Sequence, residues 1–487
     1  MSCKVLSTLT IDGFEKFFCA RGSWTTIAHV AHLSGNHSTL IEKASHVIQC
    51  LLKRHSRMRT RLRVDGDEYL LDILEYNSEY LSSSLFFSTV EATYHSWQEI
   101  VEQRCNQDPY SNNGTMIFPL FHFMLLFNSP QSNDNFFHFI LFENHCASDG
   151  RSGYILINDF LTLVTDPNLF SKSEPVNNEI LPSINQMIRR PFGSLFPLAL
   201  FIVKQIFKYE LRQLRHPRIP VTAIPHLHCG PSKFLVQRYR VKFLFASSSS
   251  DLYVNLHEQC HLHNMTLNGP LFACLLLAIH QFFPFVNNTR LKPFGIGVNF
   301  DMRSRLVRSP LTSSSVGFFV GIGEVKFNRS FSIRSTRFWS LAHRCMMITR
   351  NQLNRIGVPL ITNMFTDISR HEHEFNRFNR LFYEGRQSEF AFSNIGKYPF
   401  SCEYNCGEIQ LQGLHVINNG SIYRSSTVMY VTCVGDGQLD ISLAHDMESD
   451  EKAKEFLNCY VHLIEACADR THCNIETTLD QLLKSIN

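Results

Sequence analysis

Long apolar runs are missing from this 487-residue chain. The apolar segment Ser194 to Phe207 (SLFPLALFIVKQIF) has an apolar core only from Leu195 to Val203, interrupted by Pro197, which is too short to span a bilayer. A strong charge of either sign is missing too. The net charge is +3 and only 18% of residues are charged, with no basic run suited to nucleic acid, so no nucleic-acid partner is expected. No glycine-rich nucleotide-binding motif and no internal repeat occur, and the only biased tract is Ser247 to Ser250. Cysteine is present but unpatterned: fifteen residues, an odd number, at no repeating spacing, with no secretory apolar region after MSCKVLSTLT. That usage leads us to expect a cytoplasmic protein. Cys402 and Cys406 lie four apart without a second pair to complete a metal clip. The groups His226/His228/Cys229, His261/His263 and His371/His373 read as surface or satisfied core residues, so no metal is expected.

What is present describes a globular α/β protein. Hydrophobic residues make up 44%, and phenylalanine is abundant at 41 residues, enough to fill a core or line an apolar tunnel. The length suits two domains or one pseudo-dimeric unit. Nine of eighteen prolines fall between Pro167 and Pro231, marking a linker. The chain is therefore divided into 1–165, a Pro-rich crossover at 166–232, and 233–487. Ile27 to Leu52 reads as a helical region broken at Ser34-Gly35-Asn36, and Arg61 to Ile73 as a hairpin turning at Asp65-Gly66. Phe234 to Phe245 reads as a strand; Leu252 to His263, Leu267 to Phe283 and Asp450 to Ala468 read as helices. The apolar segment 194–207, preceded by Arg189 and Arg190, is expected to be a crossover helix buried between two domains. Peripheral membrane contact through it is the alternative.

Phe136 to Gly153, FFHFILFENHCASDGRSG, carries the chemistry. Strand-forming residues stop at Glu143-Asn144, Asp149 is placed to cap a helix, and Ile155, Leu156, Phe160 and Leu163 follow at helical spacing. His145 thus falls at a strand end, where a rigid scaffold can hold a general base with one side open. The same pattern also fits a polar turn that contains a histidine.

The segment NHCASDG resembles the HxxxDG signature of the chloramphenicol-acetyltransferase-like, coenzyme-A-dependent acyltransferases, the superfamily that includes condensation domains. His145, Asp149 and Gly150 match it position by position. Five further segments resemble that superfamily in order: LLKRHSRMRTRL, PLFHFMLL, CHLHNMTLNGPLFACLLLAIH, GVNFDMRSRL with VGFFVG, and FSNIG with VTCVGDGQLDISLAHD. Asn144 stands where many members carry a further histidine, which moves the likeness away from condensation domains. No Asp-Phe-Gly occurs, which moves it away from the plant HxxxD group and toward the alcohol acetyltransferase and polyketide-associated branches.

The resemblance implies two related subdomains, each a mixed sheet with helices, meeting at an active-site tunnel. It implies acyl transfer from a CoA thioester to a hydroxyl or amine, with His145 as general base and no acyl-enzyme. Asp149 would pair with Arg303, with Arg305 as the alternative partner, and Gly150 would form the motif turn. Ser393 and Asn394 are candidates for stabilising the oxyanion or contacting substrate. No bound cofactor is implied: acyl-CoA is a co-substrate, a small alcohol or amine is the acceptor, and a monomer is expected. The other readings are a condensation-type enzyme using a carrier-protein thioester and a catalytically silent binding relative.

Overall fold

The computed structural model describes residues 4–20, 24–66, 68–91, 96–110, 116–128, 135–166, 175–179, 181–188, 190, 192–213, 241–283, 290–291, 295–306, 311–326, 330–354, 357–370, 389–420, 425 and 427–486. The segment Phe136–Asn144, dense in Phe, Ile and Leu, forms the strand expected of it. It lies inside a six-stranded sheet between Thr26–Gly35 and Phe121–Phe127, antiparallel to both. Ile409–Asn418 pairs antiparallel with the far side of Thr26–Gly35 and is itself followed by Glu403–Tyr404. Phe87–Glu91 closes the other edge, parallel to Phe121–Phe127. Two strands from late in the chain thus complete a sheet otherwise built before residue 145.

A second six-stranded mixed sheet runs in the order Val320–Lys326, Gly295–Asp301, Phe390–Lys397, Thr427–Cys433, Leu439–His445, Lys242–Ser247. Its three middle members starting from Gly295–Asp301 are parallel, and the remaining pairings are antiparallel. The expected hairpin forms from Thr60–Asp65 and Glu68–Leu74, in a smaller sheet with Val5–Ile11. The helices Leu252–Leu262, Asn268–Phe282 and Asp450–Ala468 occur where the periodicity places them. Of the strand read from Phe234 to Phe245, residues before 241 lie outside the described residues; the strand described is Lys242–Ser247. The mixed α/β architecture with two mixed sheets is the expected fold class.

Two expectations are corrected. Ile27 to Leu52 is not one interrupted helix: Thr26–Gly35 is a strand, and Asn36 accepts a hydrogen bond from Ser38 N to cap the helix His37–Arg54. That strand is covered on both faces at the middle of a sheet, so it lacks the apolar–polar alternation that would have marked it. The helix Phe196–Gln213 is not buried between domains either. One face packs on the helix Gly357–Arg370, where Lys204 is ion-paired with Asp367. The other face is exposed at Leu198, Phe201, Ile202, Ile206 and Tyr209, and Leu195 just before the helix is exposed too. Among the described residues no helix is long and apolar enough to cross a membrane.

Candidate active site

The turn after Phe136–Asn144 is tied down from both ends. His145 N donates to Thr25 O (2.9 Å), which extends the sheet by one bond past the strand end. Four residues later Asp149 caps the helix Gly150–Thr165, its Oδ1 accepting from Ser152 N at 2.8 Å. Gly150 is therefore the first residue of that helix. A Cβ there would come within 3.0 Å of the Ile395 side chain, and one at Gly153 would strike the His29 ring at 2.2 Å. The close approach of this helix to the sheet requires Gly153 to lack a side chain, whereas at Gly150 the end of the Ile395 side chain would have to give by a few tenths of an ångström.

Between these anchors His145 Nδ1 lies 2.9 Å from Ser148 O. A carbonyl oxygen only accepts, so the proton sits on Nδ1 and Nε2 carries the lone pair. The ring lies 4.4 Å from that of Phe18 and 5.3 Å from that of Phe318. It is 7% exposed and lines a cavity of ≈ 280 Å³ with Phe14, Phe17, Val203, Ile206 and Phe207 among its walls. Burial pushes its pKa from 6.5 to about 4, against the Ser148 carbonyl and the Asp149 charge, which favour protonation. The imidazole is thus held neutral across a far wider range than an unperturbed histidine.

Behind the turn is a second set of contacts that the sequence reading did not single out. Ser148 Oγ donates to Glu143 Oε2 at 2.6 Å, and Glu143 Oε1 lies 3.0 Å from His29 Nδ1. His29 Nε2 donates in turn to Gly150 O at 3.0 Å. Glu143 and His29 are fully buried, so the turn that holds His145 is braced by two buried hydrogen bonds, Ser148 to Glu143 and His29 to Gly150, while Glu143 Oε1 and His29 Nδ1 lie close without a hydrogen bond between them. The only available signal was the unusual Glu-Asn pair ending an otherwise apolar strand.

Asp149 faces away from the cavity and into the second sheet's loops. Arg303 Nη2 donates to its Oδ1 at 2.9 Å, and Phe319 N to its Oδ2 at 2.9 Å. Burial alone would raise this carboxyl; the Arg303 charge and the hydrogen bonds to it outweigh burial and hold it below the ordinary carboxylate range. Arg303 also donates to Ser152 Oγ at 2.8 Å, and its guanidinium rests 4.8 Å from the centre of the Phe319 ring. Ser152 Oγ and the Gly317 backbone exchange bonds of 2.9 and 3.0 Å. These contacts pin the loop carrying Phe318 against the His145 turn. Arg303, and not Arg305, makes the contact with Asp149.

Ser393 and Asn394 lie elsewhere. Both are on the strand Phe390–Lys397, and neither is among the residues lining the cavity. Asn394 Nδ2 donates to Asn268 Oδ1 (2.7 Å), and its Oδ1 accepts from Gly396 N (3.0 Å). The polar residues that do line the cavity include Asn299, Asn418, Ser425 and Tyr430. Asn418 is brought there by the strand that joins the first sheet from late in the chain. No group of His, Cys, Asp or Glu among the described residues is arranged to hold a metal ion. His226, His228, Cys229, His371 and His373 lie outside the described residues.

No family model matches the sequence, and no curated protein matches it. Solved structures do match it in three dimensions. TRI3 trichothecene 15-O-acetyltransferase from Fusarium sporotrichioides superposes with a TM-score of 0.71 at 12% identity, over 93% of this chain and 94% of that one. Polyketide synthase associated protein 5 from Mycobacterium tuberculosis gives 0.60 at 14% identity, over 96% and 100%. The condensation domain from the Monacolin K polyketide synthase MokA gives 0.60 at 10% identity, over 98% and 100%. Coverage of nearly the whole of each chain shows that the likeness is one of the entire fold: this chain has the two-subdomain, chloramphenicol-acetyltransferase-like fold of these neighbours.

Proposed function

We propose that this protein is an acyltransferase that moves an acyl group from a CoA thioester to a hydroxyl or amine acceptor, with His145 as general base. The observation that carries the reading is the His145 tautomer at the wall of an apolar cavity: Nδ1–H given to Ser148 O, Nε2 left basic. In the reaction Nε2 takes the acceptor's proton as its oxygen or nitrogen bonds to the thioester carbonyl carbon. The tetrahedral intermediate then collapses, the carbon–sulfur bond breaks, and the proton returns from Nε2 to the leaving thiolate. No acyl-enzyme forms.

A neutral imidazole suits both steps, because it must gain and lose one proton in each cycle. Asn418 is our choice of oxyanion donor in place of Ser393 and Asn394. Its Oδ1 accepts from Gly420 N at 2.8 Å, which orients the carboxamide with Nδ2 as the donor. Asp149 and Arg303 hold the turn and take no proton. The Phe-rich cavity favours apolar acyl chains or acceptors over sugars.

The test is thiol release from acyl-CoA donors of increasing chain length, with mixed alcohol and amine acceptors. Acceptor-dependent release that disappears in His145→Ala supports the reading. Folded wild-type protein that releases thiol from acyl-pantetheine carrier-protein donors but from no acyl-CoA would replace the donor. Release from neither would remove the enzymatic reading.

A further inference from the structure

The helix Phe196–Gln213 is apolar on both sides. Its inner side, with Leu200, Val203 and Phe207, packs into the protein. On its outer side Leu195 is 63% exposed, Phe201 58%, Ile206 52% and Tyr209 65%, with Leu198 and Ile202 between them. Phe192, just before the helix, adds another exposed ring. A helix lying on a water-soluble surface normally turns its charged residues outward; here Gln205 is the one polar side chain on the outer side between 195 and 209. Lone exposed apolar residues need no explanation, but a row of five along one helix, continued by Leu195 just before it, marks a contact surface.

Charge indicates what the surface meets. From 189 to 215 the sequence carries Arg189, Arg190, Lys204, Lys208, Arg212 and Arg215 against Glu210 alone, in a chain whose net charge is +3. Even with Lys204 set aside, because it is paired with Asp367, this one segment holds more positive charge than the whole molecule nets. An apolar stripe flanked by cations fits an anionic lipid surface, with the rings in the acyl boundary and the cations among the headgroups. Position adds a second argument. Ile206 is half exposed and also lines the cavity that contains His145, as do Val203 and Phe207 on the same helix. The helix is thus both the outer apolar surface and a wall of the site.

We infer that the protein docks on anionic membranes through the helix Phe196–Gln213, which sets the wall of its cavity against the bilayer. Docking does not depend on the proposed chemistry, and it is read separately from it. The test uses the full chain and vesicles of phosphatidylcholine with and without phosphatidylserine. Wild-type protein is expected to sediment with the anionic vesicles and to be released by salt. The double variant Leu195→Asp/Phe201→Asp should bind about tenfold or more weakly, with its thermal midpoint unchanged and thiol release from soluble substrates retained. In case that variant misfolds, Phe201→Trp supplies a direct reporter. The new indole should shift to the blue on anionic vesicles and be quenched by brominated lipid.

Wild-type protein that stays in the supernatant with anionic vesicles overturns the inference. So does binding without quenching at position 201, which would locate contact on another surface. A wild-type dimer in solution that the double variant converts to monomer would show that a second copy covers this face, and would equally overturn it. If docking fails while acceptor-dependent thiol release persists, only the docking is lost.

Discussion

Buried histidines in two places in this molecule share one chief cause of a lowered pKa, burial, in opposite surroundings. His145 sits at a strand end and is pushed down to about 4, chiefly by burial. His32 and His415 sit in the middle of the same sheet, with His138 beside them, and are pushed down to about 3, again chiefly by burial. His32 Nδ1 lies 2.9 Å from His138 Nδ1, His415 stacks on Trp97, and its Nδ1 lies 3.2 Å from Ser442 Oγ. The ring nitrogens of this cluster face one another and the second sheet, and none of the three residues lines the cavity. A depressed pKa therefore does not by itself mark a working histidine. Contact with the cavity and a tautomer fixed by a carbonyl distinguish His145.

The comparison is sharpened most by removing one histidine from each group. His145→Ala should lower acceptor-dependent turnover by about 10²- to 10⁴-fold, the usual value of a positioned base. His415→Ala should change turnover by less than about threefold while lowering stability by about 1–3 kcal/mol, since it strips a buried polar neighbour. Thermal unfolding and initial rates on the same preparations separate the two outcomes. Equal losses of turnover would erase the distinction between the groups.

The next largest effect concerns what holds the His145 turn in place. Arg303→Ala leaves the Asp149 carboxylate buried without a cation and should cost roughly 3–5 kcal/mol in denaturant unfolding; Asp149→Ala should cost less, because Arg303 keeps Asp301, 3.1 Å from its Nη1. The double variant should cost less than the sum of the two, because neither charge is then left alone. A fully additive result would mean the pair is not coupled. Smaller again is Glu143→Gln, which loosens the Ser148 side chain without touching the cavity. Turnover should fall about tenfold with KM little changed, as 1.4 kcal/mol of lost positioning would produce. A rise in KM at constant turnover would instead place Glu143 in substrate binding.

Much of this site was legible in the sequence because its signals are local. The strand, the His at its end, the Asp cap and the helix after it occupy eighteen consecutive residues, Phe136 to Gly153, and each rests on chemistry within a few positions. The Asp149–Arg303 contact bridges 154 residues, and only the resemblance could pair them. The walls of the cavity were not legible at all. Phe18 comes from the helix Gly13–Cys19 and Asn418 from the end of the strand Ile409–Asn418, and nothing in their neighbours announces that they share a cavity with His145. Ser393 and Asn394 show the reverse difficulty: a polar pair inside a strand looks functional, while its register turns Asn394 toward Asn268. Thr26–Gly35 read as helix because a strand covered on both faces has no polar side to reveal its period. The outward face of Phe196–Gln213 was hidden for the same reason, since a helix apolar all round reads as buried.

The pH dependence of the wild-type protein tests most directly whether His145 works as a base kept neutral by burial. Stability and activity should part company. A histidine neutral in the folded state but protonating near 6.5 when unfolded gives full stability above about 6.5. That stability falls by about 1.4 kcal/mol per pH unit per such residue as the pH drops. The catalytic profile should lack that limb. Initial-rate kcat/KM, taken after a rapid pH jump and before unfolding, should stay level from pH 8 down through 6.5 and bend only near 4. A bend near 6.5 in that profile, with folded protein throughout, would show a base of ordinary pKa at work and contradict the assignment of the buried His145 imidazole.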